Sequence, residues 1–168
     1  MDIDALLSDG FGRVADLVPA VLDGLDLDAL AWRPDAEANS IGWLVWHLTR
    51  VADDHVALVA GSEQVWTRDG WYERFALPFA ADAHGYGQSS DDVAAVRVAG
   101  DLLAGYHEAV FHAVLGYIAT LAPADLDRIV DERWNPPVTL GARLVSVLND
   151  MSQHIGQASY VRGLLERS

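Results

Sequence analysis

Two histidines set in otherwise apolar helical stretches are the residues of this chain best placed to do chemistry. His47 lies in Ile41-Gly42-Trp43-Leu44-Val45-Trp46-His47-Leu48, and His154 in Asn149-Asp150-Met151-Ser152-Gln153-His154-Ile155-Gly156-Gln157. Asp150 and His154 are four apart, so on a helix they share a face, about 6 Å apart along the axis and about 40° apart around it. A divalent ion such as zinc takes imidazole nitrogens and carboxylate oxygens at roughly 2.0–2.2 Å, and a catalytic site keeps one position open for water or substrate. His47, carried on a neighbouring helix, would complete a three-point anchor with Asp150 and His154. The pattern also has a plainer reading. A lone histidine on an apolar seam is commonly a hydrogen-bonded core residue, and Asp150 with His154 an ordinary helix-surface pair. Asn149 faces away from this position by about 100°.

The elements that must carry these residues are helical. The first stretch runs from about Ile3 to Leu25, with Leu6, Leu7, Val14, Leu17, Val21 and Leu22 forming a stripe that Pro19 should kink. Ala31 to Ser40 reads as a loop ending in an N-cap serine. The second helix covers Ile41 to Ala60, where Leu44, His47, Val51, His55 and Leu58 recur at helical spacing and turn His47 inward. From Gly61 to Ser90 the periodicity fails and aromatics crowd in. A connection of that length and composition is expected to order against the helices and to cover a pocket mouth. Ser89 or Ser90 caps a third helix running to about Leu121, stopped by Pro123. Pro123 to Ile129 forms one or two turns, and Val130 to Pro137 is a connection. Thr139 caps a fourth helix reaching Glu166, its seam being Leu140, Leu144, Val147, Met151, His154, Ala158, Val161 and Leu165. The architecture predicted is an all-α four-helix bundle, a single domain over residues 1–168, with one long irregular connection between helices 2 and 3.

Composition limits the chemistry. The chain has no cysteine, which excludes disulfides, thiolate zinc sites and a protein-borne thiol nucleophile. Any thiol chemistry needs a thiol from outside. A formal charge of −14 argues against nucleic acid as a partner. No apolar run approaches the ~20 residues of a membrane span, and Met1-Asp2-Ile3-Asp4 lacks the basic region of a signal peptide, so a cytoplasmic, non-membrane protein is expected. All 11 basic side chains are arginine, as in high-GC genomes. The remaining histidines fit a metal site less well: His55 reads as core or as a support to the ligands, His84 sits alone in a Gly-rich loop, and His107 and His112 diverge by about 140°. Asp53 and Asp54 read as solvent-facing, with orientation of a ligand histidine as a further role for Asp54. Six tryptophans suit a large apolar pocket or plain core filling. No phosphate loop, nucleophile elbow or His-Glu-x-x-His helix is present.

Asn39 to Leu48 resembles the second-helix signature of the DinB-like metal-binding bundle superfamily, and Leu148 to Gln157 its fourth-helix signature. Thr139-Leu140-Gly141 is similar to the start of that helix, and Trp32-Arg33-Pro34 to the turn after the first. The nearest branch is that of the mycothiol-dependent transferases and maleylpyruvate isomerase. The resemblance implies a bundle holding a divalent metal on three residues, here His47, Asp150 and His154, with zinc first and nickel or another ion as alternatives. Members carry histidine or glutamate at the middle position, so Asp150 departs from both patterns and shortens the reach by one methylene. The resemblance further implies a metal-dependent transferase or isomerase in which the metal activates an exogenous low-molecular-weight thiol, mycothiol-like, toward a small electrophilic substrate. Arg162 matches a recurrent arginine and is assigned a contact to a carboxylate of cofactor or substrate. A surface arginine near a helix C-terminus is its plainer reading. A homodimer is expected. Metal-assisted hydrolysis and a non-catalytic bundle binding a small ligand stand as alternatives.

Overall fold

A computed structural model describes residues 2–168. Four long helices form the frame: α1 (Ile3–Leu22), α3 (Ile41–Ala60), α7 (Gly100–Ile118) and α8 (Leu140–Leu165). Four short ones, α2 (Leu27–Ala31), α4 (Val65–Arg68), α5 (Trp71–Phe75) and α6 (Ser90–Ala95), lie between them. In the bundle α3 packs against α8 and α7, while α1 packs against the same two partners. The expected all-α bundle is what the chain forms. Among the described residues no helix is long and apolar enough to cross a membrane.

Local chemistry sets most boundaries. Ser40 Oγ accepts from Trp43 N at 3.1 Å to start α3, and Gly61 at φ +68° closes it. Thr139 Oγ1 accepts from Ala142 N at 3.2 Å at the head of α8. At Ser89 a capping box starts α6: its hydroxyl accepts from Asp92 N while Asp92 Oδ2 accepts from Ser89 N, at 3.2 and 2.9 Å. Three boundaries differ from expectation. The first helix ends at Leu22, and Asp26 caps the separate α2. The third helix is not continuous from Ser89 to Leu121: it breaks at residues 96–99 into α6 and α7. There Val96 and Val98 are buried in a crossing segment that passes the N-terminal end of α3. Gly42 permits the crossing, since a Cβ on it would sit 3.2 Å from Leu30 O and 3.7 Å from Val96 O. Finally, the connection after the 3-10 turn Pro123–Asp127 holds a two-stranded antiparallel ladder, β1 (Ile129–Asp131) with β2 (Val138–Thr139), which delivers the chain to the Thr139 cap.

The long connection shapes the centre. It packs across both α3 and α7, and sixteen of the twenty α3 residues are buried, polar ones included. Leu58, the last residue of the expected seam, is instead exposed. Arg50 is fully buried. Its guanidinium donates to Ala83 O at 3.0 Å, Gln64 Oε1 at 2.8 Å and Tyr106 Oη at 3.2 Å, and lies over the Trp66 ring at 4.9 Å. Asp53, expected to face solvent, is instead buried, because it accepts from Val65 N, Trp66 N and Tyr106 Oη, each at 2.8 Å. Trp66, Trp71 and Phe75 pack around Tyr106. A buried charge keeps its place only when paired and hydrogen-bonded, so these contacts fix the connection to α3.

His107 is a further buried polar residue, donating from Nδ1 to Thr49 Oγ1 at 3.0 Å, because that hydroxyl already donates to Val45 O. Burial pushes its pKa down to about 4. The unfolded chain, with its histidine near the ordinary value of about 6.5, therefore binds the proton first. Stability is complete above about pH 6.5 and is lost as the pH falls toward the folded value, by roughly 3 kcal/mol over the window. Urea unfolding at about pH 7 and about pH 4.5 is expected to show a smaller pH difference for His107→Gln than for the parent. Equal differences would place the acid sensitivity elsewhere.

Candidate metal centre

His47 projects from the middle of α3 and is buried. Its ring stacks on Trp43, one turn back, at 4.6 Å and 15°. Trp43 is itself held by Nε1 donating to Gln88 Oε1 at 2.7 Å. His47 Nδ1 lies 2.5 Å from the carbonyl oxygen of His84. A carbonyl only accepts, so Nδ1 carries the proton and Nε2 presents a lone pair. Gly85, at φ +101°, lies flat against this ring: a Cβ there would run into His47 Nδ1 and come within 3.1 Å of Trp43. The connection thus grips His47 with a backbone carbonyl and with the absence of a side chain.

His154 arrives from α8 and meets the His47 ring edge-on at 4.7 Å. Its Nδ1 donates to Gln157 Oε1, three residues on, at 2.8 Å, which again leaves Nε2 as the free lone pair. Asp150, one turn earlier, brings Oδ1 to 3.6 Å from His154 Nε2. That separation exceeds a hydrogen bond. Asp150 Oδ2 is buried with no hydrogen-bond partner. One donor atom each from His47, Asp150 and His154 falls within 4.8 Å of the others. The electrostatics follow: burial holds His47 below the usual imidazole range, and the facing Asp150 carboxylate raises His154. Burial pushes Asp150 up, but the imidazoles of His154, His47 and His55, His154 foremost, outweigh it and hold the carboxyl below its ordinary value.

These residues fit a divalent cation. An orphaned buried carboxylate oxygen has no counterpart in the protein, and two Nε2 lone pairs converge beside it. Each histidine has its other nitrogen committed to an oxygen acceptor, the arrangement that fixes tautomer and ring direction in histidine metal sites. Two imidazoles and one carboxylate are a borderline-soft set suited to zinc and its neighbours.

The structure therefore brings together the three residues proposed from spacing, and leaves the others outside. His55 Nδ1 faces Asp54 Oδ2 at 3.4 Å. Asp54 also accepts from Gln64 at 2.8 Å, so it supports the connection rather than a ligand histidine. His84 contributes its carbonyl, not its ring. Arg162 stands apart from the cluster. Its Nη1 donates to the carbonyls of Ala20, Val21 and Asp23 at 2.8, 3.0 and 2.9 Å, and Nε pairs with Glu166. It caps the C-terminal end of α1 and braces it to α8, where a cofactor contact had been assigned. Gln157, Trp43 and Gly85 were not anticipated as parts of the site.

The sequence model of the mycothiol-S-transferase family matches residues 7–167. The chain belongs to that family. No curated protein matches it. Among solved structures, a conserved protein of Enterococcus faecalis is 28% identical with a TM-score of 0.93, the alignment covering 100% of this chain and 99% of that one. Both findings agree with the DinB-like bundle resemblance, and the mycothiol-S-transferase match spans both the α3 and the α8 halves of the candidate centre.

Loss of an outer hydrogen bond to a ligand histidine typically costs ten- to a hundredfold in metal affinity. Gln157→Leu is expected to weaken zinc binding by at least about tenfold in competition with a chromophoric chelator, with the thermal midpoint of the metal-free protein unchanged. An unaltered zinc affinity would show that His154 is not held through Gln157.

Proposed function

We propose that the protein is a divalent-metal-dependent transferase that joins an exogenous low-molecular-weight thiol, mycothiol or a close relative, to a small electrophile. The observation carrying the metal half is the buried, unpartnered Asp150 Oδ2 in a cluster where one donor atom each of His47, Asp150 and His154 lies within 4.8 Å of the others. The thiol half rests on the mycothiol-S-transferase match and on the absence of any cysteine in the chain.

His47, Asp150 and His154 would hold the ion, zinc being the first choice for such donors. Bound there, a divalent cation supplies a positive charge that lowers the pKa of a thiol or water near it. The chain's own part is to hold the donors ready. His84 O and Gln157 Oε1 hold the Nδ1–H of each histidine, so Nε2 is the nitrogen left to face the ion. Burial keeps His47 neutral. Asp150 brings a negative charge that balances part of the cation's, and its one-methylene-shorter reach relies on α8 lying close against α3. The Trp43 ring and the connection close one side of the centre, which lowers the local dielectric and strengthens the electrostatics within.

Protein loaded with zinc and then dialysed is expected to retain about one ion per chain. His47→Ala, Asp150→Ala and His154→Ala are each expected to reduce this to background and to abolish consumption of a test electrophile in the presence of mycothiol. Wild-type protein that never retains metal would overturn the reading. Turnover at full rate with no thiol added would favour the alternative, metal-assisted hydrolysis.

A further inference from the structure

Trp32-Arg33-Pro34, singled out in the sequence, takes no part in the donor cluster, yet Arg33 is heavily committed. Its guanidinium donates to Ala38 O at 2.5 Å, to Ala36 O, and to Ser90 O and Oγ at 3.0 and 2.8 Å. Asp35 Oδ1 accepts from both Glu37 N and Ala38 N at 2.8 and 2.9 Å. The 34–39 turn is therefore a built wall rather than a loose loop. Facing it is the outer side of α8, and between them lies a groove of about 450 Å3, within the range of small-molecule sites.

The groove leads to the donor cluster. Gln157 lines it and is the same residue that accepts from His154 Nδ1. Leu44 lies on its floor, three residues before His47 and so on the same face of α3. Val161 and Leu164 complete an apolar base. Tyr160, 67% exposed, offers a free aromatic face. The rim carries Asn39, Asp35 and Glu37. Carboxylates accept hydrogen bonds and donate none, and amides do both. An anionic ligand is repelled by such a rim, and an uncharged ligand with many hydroxyl donors is not. An aromatic face beside acceptor groups suits a body that has an apolar C–H face and hydroxyls at its edge.

The geometry points to this groove as the seat of an uncharged, polyhydroxylated body attached to the group that reaches the metal centre. The inference rests on the thiol-transfer reading above and places the non-reacting part of the thiol ligand between the 34–39 turn and α8, against Tyr160. Remote contacts of this kind position the reacting group, and they distinguish the full ligand from a truncated one.

Two thiols separate the contributions: mycothiol, whose cysteinyl group is carried on a hydroxyl-rich body, and N-acetylcysteine, which lacks that body. A third probe, S-methyl mycothiol, has the body but no free thiol. Binding is measured by calorimetry on zinc-treated and on metal-free protein, for the wild type and for the exposed-site variants Tyr160→Ala and Glu37→Ala. Mycothiol is expected to bind the wild type more tightly than N-acetylcysteine. S-methyl mycothiol is expected to bind with or without metal. The variants should weaken both mycothiol probes by roughly five- to tenfold, and leave N-acetylcysteine binding and zinc content unchanged. Equal affinity of the two thiols for the wild type, or variants that leave mycothiol binding intact, would overturn the groove assignment. A failure of the metal reading shows separately, as absence of zinc with S-methyl mycothiol binding still present.

Discussion

A helix buried along most of its length must satisfy its buried polar groups from within the protein, and α3 is that helix. His47, Thr49, Arg50 and Asp53 are all buried on it. None can turn to water, so each dictates where another part of the chain must lie. Arg50 and Asp53 draw the connection across α3, and the carbonyls of Ala81 and Ala83 come with it. That places the next residue's carbonyl, His84 O, on His47 Nδ1. The direction in which His47 presents its lone pair is thus the last link of a chain of burial demands. Without the wrap, the His47 ring would keep Trp43 and His154 as neighbours but lose the acceptor that fixes its Nδ1 proton.

The opposite half of the centre is built more simply. On α8 the spacing of Asp150, His154 and Gln157 places carboxylate, imidazole and supporting amide along one helix face, so the helix itself sets their relation. The centre therefore joins a locally determined half to one that depends on a segment almost forty residues distant in sequence. Their meeting depends on the packing of α3 on α8, which the regular seam of α8 supports through Leu140, Leu144, Val147 and Met151, all buried.

This division explains what the sequence made legible. Caps and seams are local: Ser40 and Thr139 start the helices they were expected to start, while Ser89 starts only α6, the first piece of the expected third helix. The three donor residues were visible because a polar residue on an apolar seam is conspicuous, and because i and i+4 share a face. The break at residues 96–99 was not visible, since Val96, Ala99 and Leu103 keep helical spacing through it, and only the crossing near Gly42 requires an extended chain. The grip on His47 left no residue-type signal, because a backbone carbonyl belongs to every residue. The Gly85-Tyr86-Gly87 run was its one trace, and it read as an interruption. Arg162 shows the converse. Its position was marked, but its partners are α1 carbonyls, which no side-chain pattern announces.

The hold on His47 uses the His84 carbonyl and the bare Cα of Gly85. The His84 ring braces that turn by accepting from Tyr86 N at 3.4 Å, while the Tyr86 side chain takes no part in it. Tyr86 is almost wholly exposed, and the His84 ring stands beside it, 6.5 Å away. The Tyr86 position is therefore free to diversify. Substitution there alters what the rim of the centre offers to an incoming molecule while the ligand histidine stays clamped, so substrate preference can drift among relatives without eroding the metal site beneath it.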